Sequence, residues 1–207
     1  MYSVAAIFMK GIFLEIIFIG VIAFIIVFLI LIYLRKLHWD AIHNNLFDLV
    51  DDMGGTIIRH GFATRPIYHG KYQENELTVN FSMEKTKKGR VNYIDISLSK
   101  KIKYAITISS KKWLEENNAE LLKNFIPFKD KEINKYGMSL EKTKNIDIDE
   151  IESRIKNPIK HMDSFNFIFF GGTGVLLEIE SDNIARATRH PALKNNIIWL
   201  VNLVENL

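Results

Sequence analysis

From residue 16 to residue 34 the chain runs 19 positions without one charged side chain. Phe, Ile, Leu and Val fill this stretch. As a helix rising about 1.5 Å per residue it is roughly 28 Å long, which matches the hydrocarbon thickness of a bilayer. A helix also satisfies every backbone donor and acceptor within itself, as lipid demands. A core helix of a soluble domain is apolar along one stripe, whereas this segment is apolar on every face. A cleaved signal peptide has a core of about 7–15 residues ending in small side chains. Here the run is longer and ends in Ile32, Tyr33 and Leu34. The sequence therefore predicts one transmembrane helix over residues 12–34, preceded by a short tail, 1–11. Glu15 is the charge that interrupts its upstream end.

The rest of the chain has a different character. Residues 1–34 hold Lys10 and Glu15 as their charged side chains, so the remainder keeps the net charge of +3. That balance suits a soluble domain and is too weak to point to nucleic acid. The remaining length suits one domain with a real hydrophobic core. There are no cysteines, which excludes disulfides, thiolate catalysis and cysteine-held zinc or iron–sulfur centres.

Flanking charge predicts the sidedness. Arg35 and Lys36 follow the apolar run directly, then Arg59, Arg65 and Lys71, against Lys10 and the terminal amine upstream. Positive flanks tend to stay in the cytoplasm, so the C-terminal domain is expected there. The Asn80-Phe81-Ser82 sequon falls in an expected strand and reads as a chance match.

Between residues 37 and 53 the apolar positions Leu37, Trp39, Ile42, Leu46, Leu49, Val50 and Met53 recur at helical spacing. Gly54 and Gly55 should stop this juxtamembrane helix, assigned to 35–55. No Gly or Pro separates it from the apolar run, so the two are expected to join rigidly. The domain proper, 56–207, opens with a short strand at 56–59 and a turn-rich stretch at 60–75. Strands over 76–84, 90–100 and 102–109 alternate apolar and polar residues and are expected to form an antiparallel meander. A partly helical segment over 110–125 comes next, then a strand near 131–138. A short helix over 149–156 is expected to be capped by Asp149 and Glu152 and interrupted by Pro158. A hairpin follows, its strands 165–170 and 175–180 joined by the glycines of 171–174. The last helix opens at Pro191, with Ile197, Leu200, Val201 and Val204 as its core face. Grouped strands predict an α+β fold: antiparallel sheet, meander plus hairpin, and flanking helices.

No motif reaches a catalytic, cofactor or metal signature. The glycines of 171–174 lack the Lys-Ser/Thr ending of a phosphate loop and join two strands, so a turn needing positive φ accounts for them. His38 and His43 are five apart, off the i, i+4 spacing of a helical metal pair; His60 and His69 share a loop. Asp147, Asp149, Glu150 and Glu152 lack the pattern of a calcium loop and suit helix capping. No cofactor is expected.

Three candidate contact features remain. Lys85, Lys87, Lys88 and Arg90 lie in the first meander turn, and the third strand is expected to return Lys111 and Lys112 to the same end. Six cations converging beside a membrane would attract anionic headgroups by about 1 kcal/mol each. Aromatic residues are not interleaved with them, which argues against nucleic acid. Trp199 and Leu203 fall off the expected core face and are candidates for docking a protein partner. Glu15 either bends out to the interface or pairs with a basic group on another membrane subunit. The expectation is a membrane-anchored, non-enzymatic binding or assembly module that docks a protein partner or a second copy. The alternative is recognition of anionic lipid headgroups or another polyanion by the basic sheet end, and an enzyme of unrecognised type is less favoured.

Overall fold

The computed structural model describes residues 4–86, 89–100, 102, 105–140 and 147–207. Its first element, α1 (Val4–Met53), is one helix of 50 residues, about 75 Å long. It starts inside the segment read as a tail. It carries the apolar run and the expected juxtamembrane helix without a break, since no proline interrupts the hydrogen-bond ladder.

The two halves of α1 meet different surroundings. From Phe13 to Leu31 every side chain stands clear of the domain, and Phe24 is 71% exposed. The stretch Phe13–Met53 is long and apolar enough to cross a membrane. Farther on, Trp39, Ile42, Leu46 and Leu49 form a buried stripe that belongs to the main core. Asn45 Nδ2 donates to Ala185 O at 2.7 Å and to Thr188 Oγ1 at 3.0 Å. Asp52 pairs with His190 and Lys194 at 2.5 and 2.9 Å. The helix stops where expected: Gly54 and Gly55 take φ of 72° and 97°, a region open to glycine.

The described strands build one antiparallel sheet of nine. They are β1 (Thr56–Ile58), β2 (Ile67–Tyr72), β3 (Asn75–Thr86), β4 (Gly89–Leu98), β5 (Ile106–Ser110), β6 (Phe125–Pro127), β7 (Tyr136–Leu140), β8 (Phe167–Gly171) and β9 (Gly174–Ser181). The lateral order is β1-β2-β3-β4-β9-β8-β5-β7-β6. The described helices are α2 (Lys111–Asn117), α3 (Ala119–Lys123), α4 (Ile148–His161), α5 (Ile184–Ala187) and α6 (Ala192–Glu205). The fold is α+β, as expected.

Ile94, Ile96 and Leu98 of β4 share a core with the lower half of α1, α4 and α6. On the opposite face α2 and α3 cover β8, β5 and β7: Trp113 packs on Phe167 at 4.9 Å, and Ser139 Oγ donates to Leu121 O at 3.2 Å. The β3–β4–β9 part of that face carries polar side chains.

Several expectations change. The meander consists of β1 to β4. The third expected strand, β5, does not pair with β4, because the β8–β9 hairpin lies between them. β2 occupies the stretch read as turns. The strand near 131–138 begins only at Tyr136. α4 runs on through Pro158, and its cap is Asp147, which accepts from the N–H groups of Asp149 and Glu150. Glu152 is buried and serves another purpose: its carboxylate accepts from the backbone N–H of Lys129 at 3.1 Å and of Asp130 at 2.8 Å. The glycines of the hairpin do not answer to positive φ. Gly171 leaves room for the Phe169 ring, and a Cβ on Gly174 would meet Leu98 O at 2.6 Å.

Candidate functional site

The packing of α1 on the sheet determines which end of the domain faces the apolar half-helix. The Trp39 ring lies 6.3 Å from that of Phe81 in β3, under the Arg65 guanidinium at 5.8 Å. Arg65 Nη1 in turn donates to Phe81 O at 2.8 Å. At the other end of the packed segment, the Tyr68 hydroxyl donates to Gly54 O at 2.7 Å, and Gly55 sits against Gly70, the register partner of Leu77. So α1 runs against the direction of β3. Its lower turns, about 21 Å from Trp39 to Met53, overlie about 13 Å of strand from Phe81 to Leu77, an oblique crossing. The apolar half therefore leaves the domain at the end where β3 turns into β4.

That turn projects. β9 ends at Ser181, opposite Asn92, so the pairs Glu84↔Val91, Lys85↔Arg90 and Thr86↔Gly89 extend past it. Thr86 lies about 17 Å of strand beyond Phe81, and Leu34 about 7.5 Å of helix before Trp39. Even at the oblique crossing, the tip reaches the level where the apolar run ends. Lys85 and Arg90 are exposed register partners on the face that α1 packs against, in line with Met83, which is exposed too. Two cations directly opposite each other repel unless an anion relieves them.

The four expected cations that are described, Lys85, Arg90, Lys111 and Lys112, do not converge. Lys87 and Lys88 lie outside the described residues. Lys111 and Lys112 begin α2 just after Ser110, and Lys111 reaches Glu115 at 3.7 Å. They are at the expected end of the sheet, because β5 runs in the same direction as β3. Yet the inserted hairpin sets β5 three strand spacings, about 14 Å, from β4, and the arm projects farther still. Two basic groups about 20 Å apart result, with Glu180 and Asp182 at the end of the strand between them.

The expected docking pair also changes. Leu203 is 0% exposed and part of the core. α6 packs against α4 as well as the sheet, so it needs two apolar faces. Trp199 is half-buried, its ring stacked on His161 at 4.7 Å. Glu15 is exposed on α1, far from the domain. His60 and His69 are exposed, and no group of three His, Asp or Glu side chains among the described residues can hold a metal. His69 Nδ1 lies 3.4 Å from Thr78 Oγ1, a long exposed contact with no carboxylate bonded to the ring among the described residues.

Two features escaped the sequence reading. The first is a polar knot where α1 enters the domain. Asp40 pairs with Lys36 one turn before it and with Arg59 Nη1 at 2.5 Å. These partners, Lys36 foremost, hold its carboxyl below the ordinary value. Arg59 also donates from Nε to Thr64 O at 3.1 Å and from Nη2 to Phe62 O at 2.7 Å. The i, i+4 spacing of Lys36 and Asp40 was a readable signal; Arg59 was not, because its approach is tertiary. The second is a carboxylate pair on the open sheet face. Asp95 and Glu178 are register partners, and burial pushes both upward, partly offset by hydrogen bonds from Ser82 and Asn166. Charged residues inside alternating strands were the signal there.

No known protein family, curated protein or solved structure matches this chain.

Proposed function

We propose that this protein is a single-pass membrane protein whose α1 crosses the bilayer over residues 12–34 and holds a non-enzymatic binding domain against one membrane face. The continuity of α1 carries this reading: the helix that would sit in lipid is the same rod whose lower turns are buried in the domain core. A domain held this way cannot swing freely, and it keeps one end of its sheet turned towards the bilayer. The excess of basic residues after the apolar run supports a cytoplasmic domain.

The binding role favoured here is recognition of anionic headgroups by the membrane-facing end. Lys85 and Arg90 are the leading pair and Lys111 and Lys112 a separate second pair, each cation adding about 1 kcal/mol near the surface. The repulsion between Lys85 and Arg90 supports this reading, since an anionic group would relieve it. The test is binding of residues 36–207 to vesicles with and without anionic lipid. Binding should require the anionic lipid and weaken with salt, and reversal of Lys85, Arg90, Lys111 and Lys112 to Glu should remove it. Equal binding by the reversed variant rejects the reading.

Docking of a protein partner, or of a second copy, is the other reading. It no longer has Leu203 to rest on, and Trp199 offers only part of its ring. Glu15, about 28 Å of helix above Leu34, suits the opposite interface or a basic group on another membrane subunit. Proteins recovered with the chain after gentle detergent extraction test this; loss of one of them in Glu15→Gln supports it.

A further inference from the structure

The loop between β1 and β2 presents a bare aromatic ring at an unusual place. Phe62 is 63% exposed. An isolated exposed apolar residue needs no explanation on its own. What distinguishes Phe62 is how firmly it is held and where. Arg59 spends its whole fork on the loop and the helix, bonding Phe62 O, Thr64 O and Asp40. The Thr64 hydroxyl closes the loop by donating to Gly61 O at 2.9 Å. These bonds tie the loop to α1 while leaving the ring uncovered.

The depth is given by Lys36. Its Nζ lies 5.4 Å from the centre of the Phe62 ring. Lys36 follows Leu34 by two residues, and its Nζ also bonds Asp40, four residues farther on. The ring therefore sits about 3–9 Å of helix axis past the end of the apolar run. If that run fills the hydrocarbon layer, this level is the boundary between acyl chains and headgroups, where aromatic rings and basic side chains gather. Leu37, also exposed, lies on the adjoining turn of α1. Met83 and the Lys85–Arg90 pair are exposed on the face of the sheet that α1 packs against, at the end from which the apolar half leaves.

We infer that the 59–66 loop is an interfacial foot: Phe62 enters the acyl–headgroup boundary of the leaflet next to the domain, and Arg59 braces it against α1. The inference rests on the proposed membrane crossing of α1. Its occupant is lipid, because the ring lies within two turns of the end of the apolar run and is flanked by Lys36 and Arg59. A foot beside the span gives the domain a second point of attachment. One helix alone permits tilt and rotation in the bilayer, and two points restrict both.

The chain has no cysteine, so single-cysteine spin labels report each position cleanly. The full chain in vesicles is labelled in three variants: Phe62→Cys, Leu29→Cys in the apolar run, and Thr173→Cys at the opposite end of the sheet. Collisions are measured with oxygen, which concentrates in lipid, and with a polar nickel chelate, which stays in water. The label at 62 should be several-fold less accessible to nickel than that at 173 while remaining open to oxygen, between the values at 29 and 173. Arg59→Gln should make it more mobile and more open to nickel. If 62 matches 173 while 29 reports lipid, the foot is wrong and the crossing stands. If 29 also reports water, the crossing falls and the foot with it. Shielding of 62 from both reagents means a protein cover and overturns the lipid assignment.

Discussion

The two halves of α1 share one backbone and meet different surroundings: one stands clear of the domain and the other is packed into its core. From Phe13 to Leu31 the helix is apolar on every face but for Glu15, and its side chains stand clear of the domain. Below Trp39 it is amphipathic: Ile42, Leu46 and Leu49 are buried, while Asn44 and Asp48, on the same turns, are exposed. The described upper half, Phe13–Leu31, makes no contact with the domain; the lower half has the sheet. A helix with so many uncovered apolar side chains is long and apolar enough to cross a membrane, and the proposed crossing would cover them with lipid. The knot of Lys36, Asp40 and Arg59 lies at the changeover between the two halves.

Mutations that strike one half should spare the other. The largest effect is expected from Ile22→Arg with Ile26→Arg. Each charge near the middle of a spanning helix costs about 3 kcal/mol, so the pair costs roughly 6. Membrane retention in alkaline extraction should be lost, with the domain's melting temperature unchanged. Leu46→Ala should do the reverse. It removes a fully buried side chain and should destabilise the domain by about 2–5 kcal/mol without releasing it from membranes. Asn45→Ala removes two hydrogen bonds to the α5 region and should cost about 1 kcal/mol in the same melt. The smallest effect serves as a control away from both halves. Burial raises the carboxyl of Asp95 above the ordinary 3.8. A raised acid holds its proton longer in the folded state, so stability is full at low pH and falls as pH rises through the raised value. Asp95→Asn should therefore raise the melting temperature slightly at pH 7, and the gain should vanish near pH 4. A gain that grows on acidification refutes this account of the open face.

Much of this arrangement was legible in the sequence because it is local. The apolar run, the Trp39–Leu49 stripe and the Gly54–Gly55 stop depend on spacing within one helix. The alternation of Leu77, Val79 and Phe81 and of Ile94, Ile96 and Leu98 revealed β3 and β4. What was missed is set by distant partners. Nothing near Ile106 indicates that a hairpin some sixty residues later will slide between β4 and β5, and that insertion separates Lys111 and Lys112 from the projecting turn. β2 was hidden by Pro66 and Gly70, yet Gly70 is where the Tyr68 ring crosses the strand, a site too close for a Cβ. Leu203 was misread because the apolar stripe was assumed to face one layer. Arg59 and Phe62 gave no pattern at all; their meaning comes from lying against a helix that arrives from twenty residues earlier.

The central claim is that a single unbroken rod joins the apolar half of α1 to the domain core. It is tested most directly by the distance between spin labels on Leu29→Cys and Asn44→Cys in one full-length chain, reconstituted in vesicles. Both positions are exposed and 15 residues apart. The account predicts one narrow distribution centred near the ~22 Å that this length of helix spans. A broad distribution, or one displaced well below that value, would mean a joint between Leu34 and Trp39 and would contradict it.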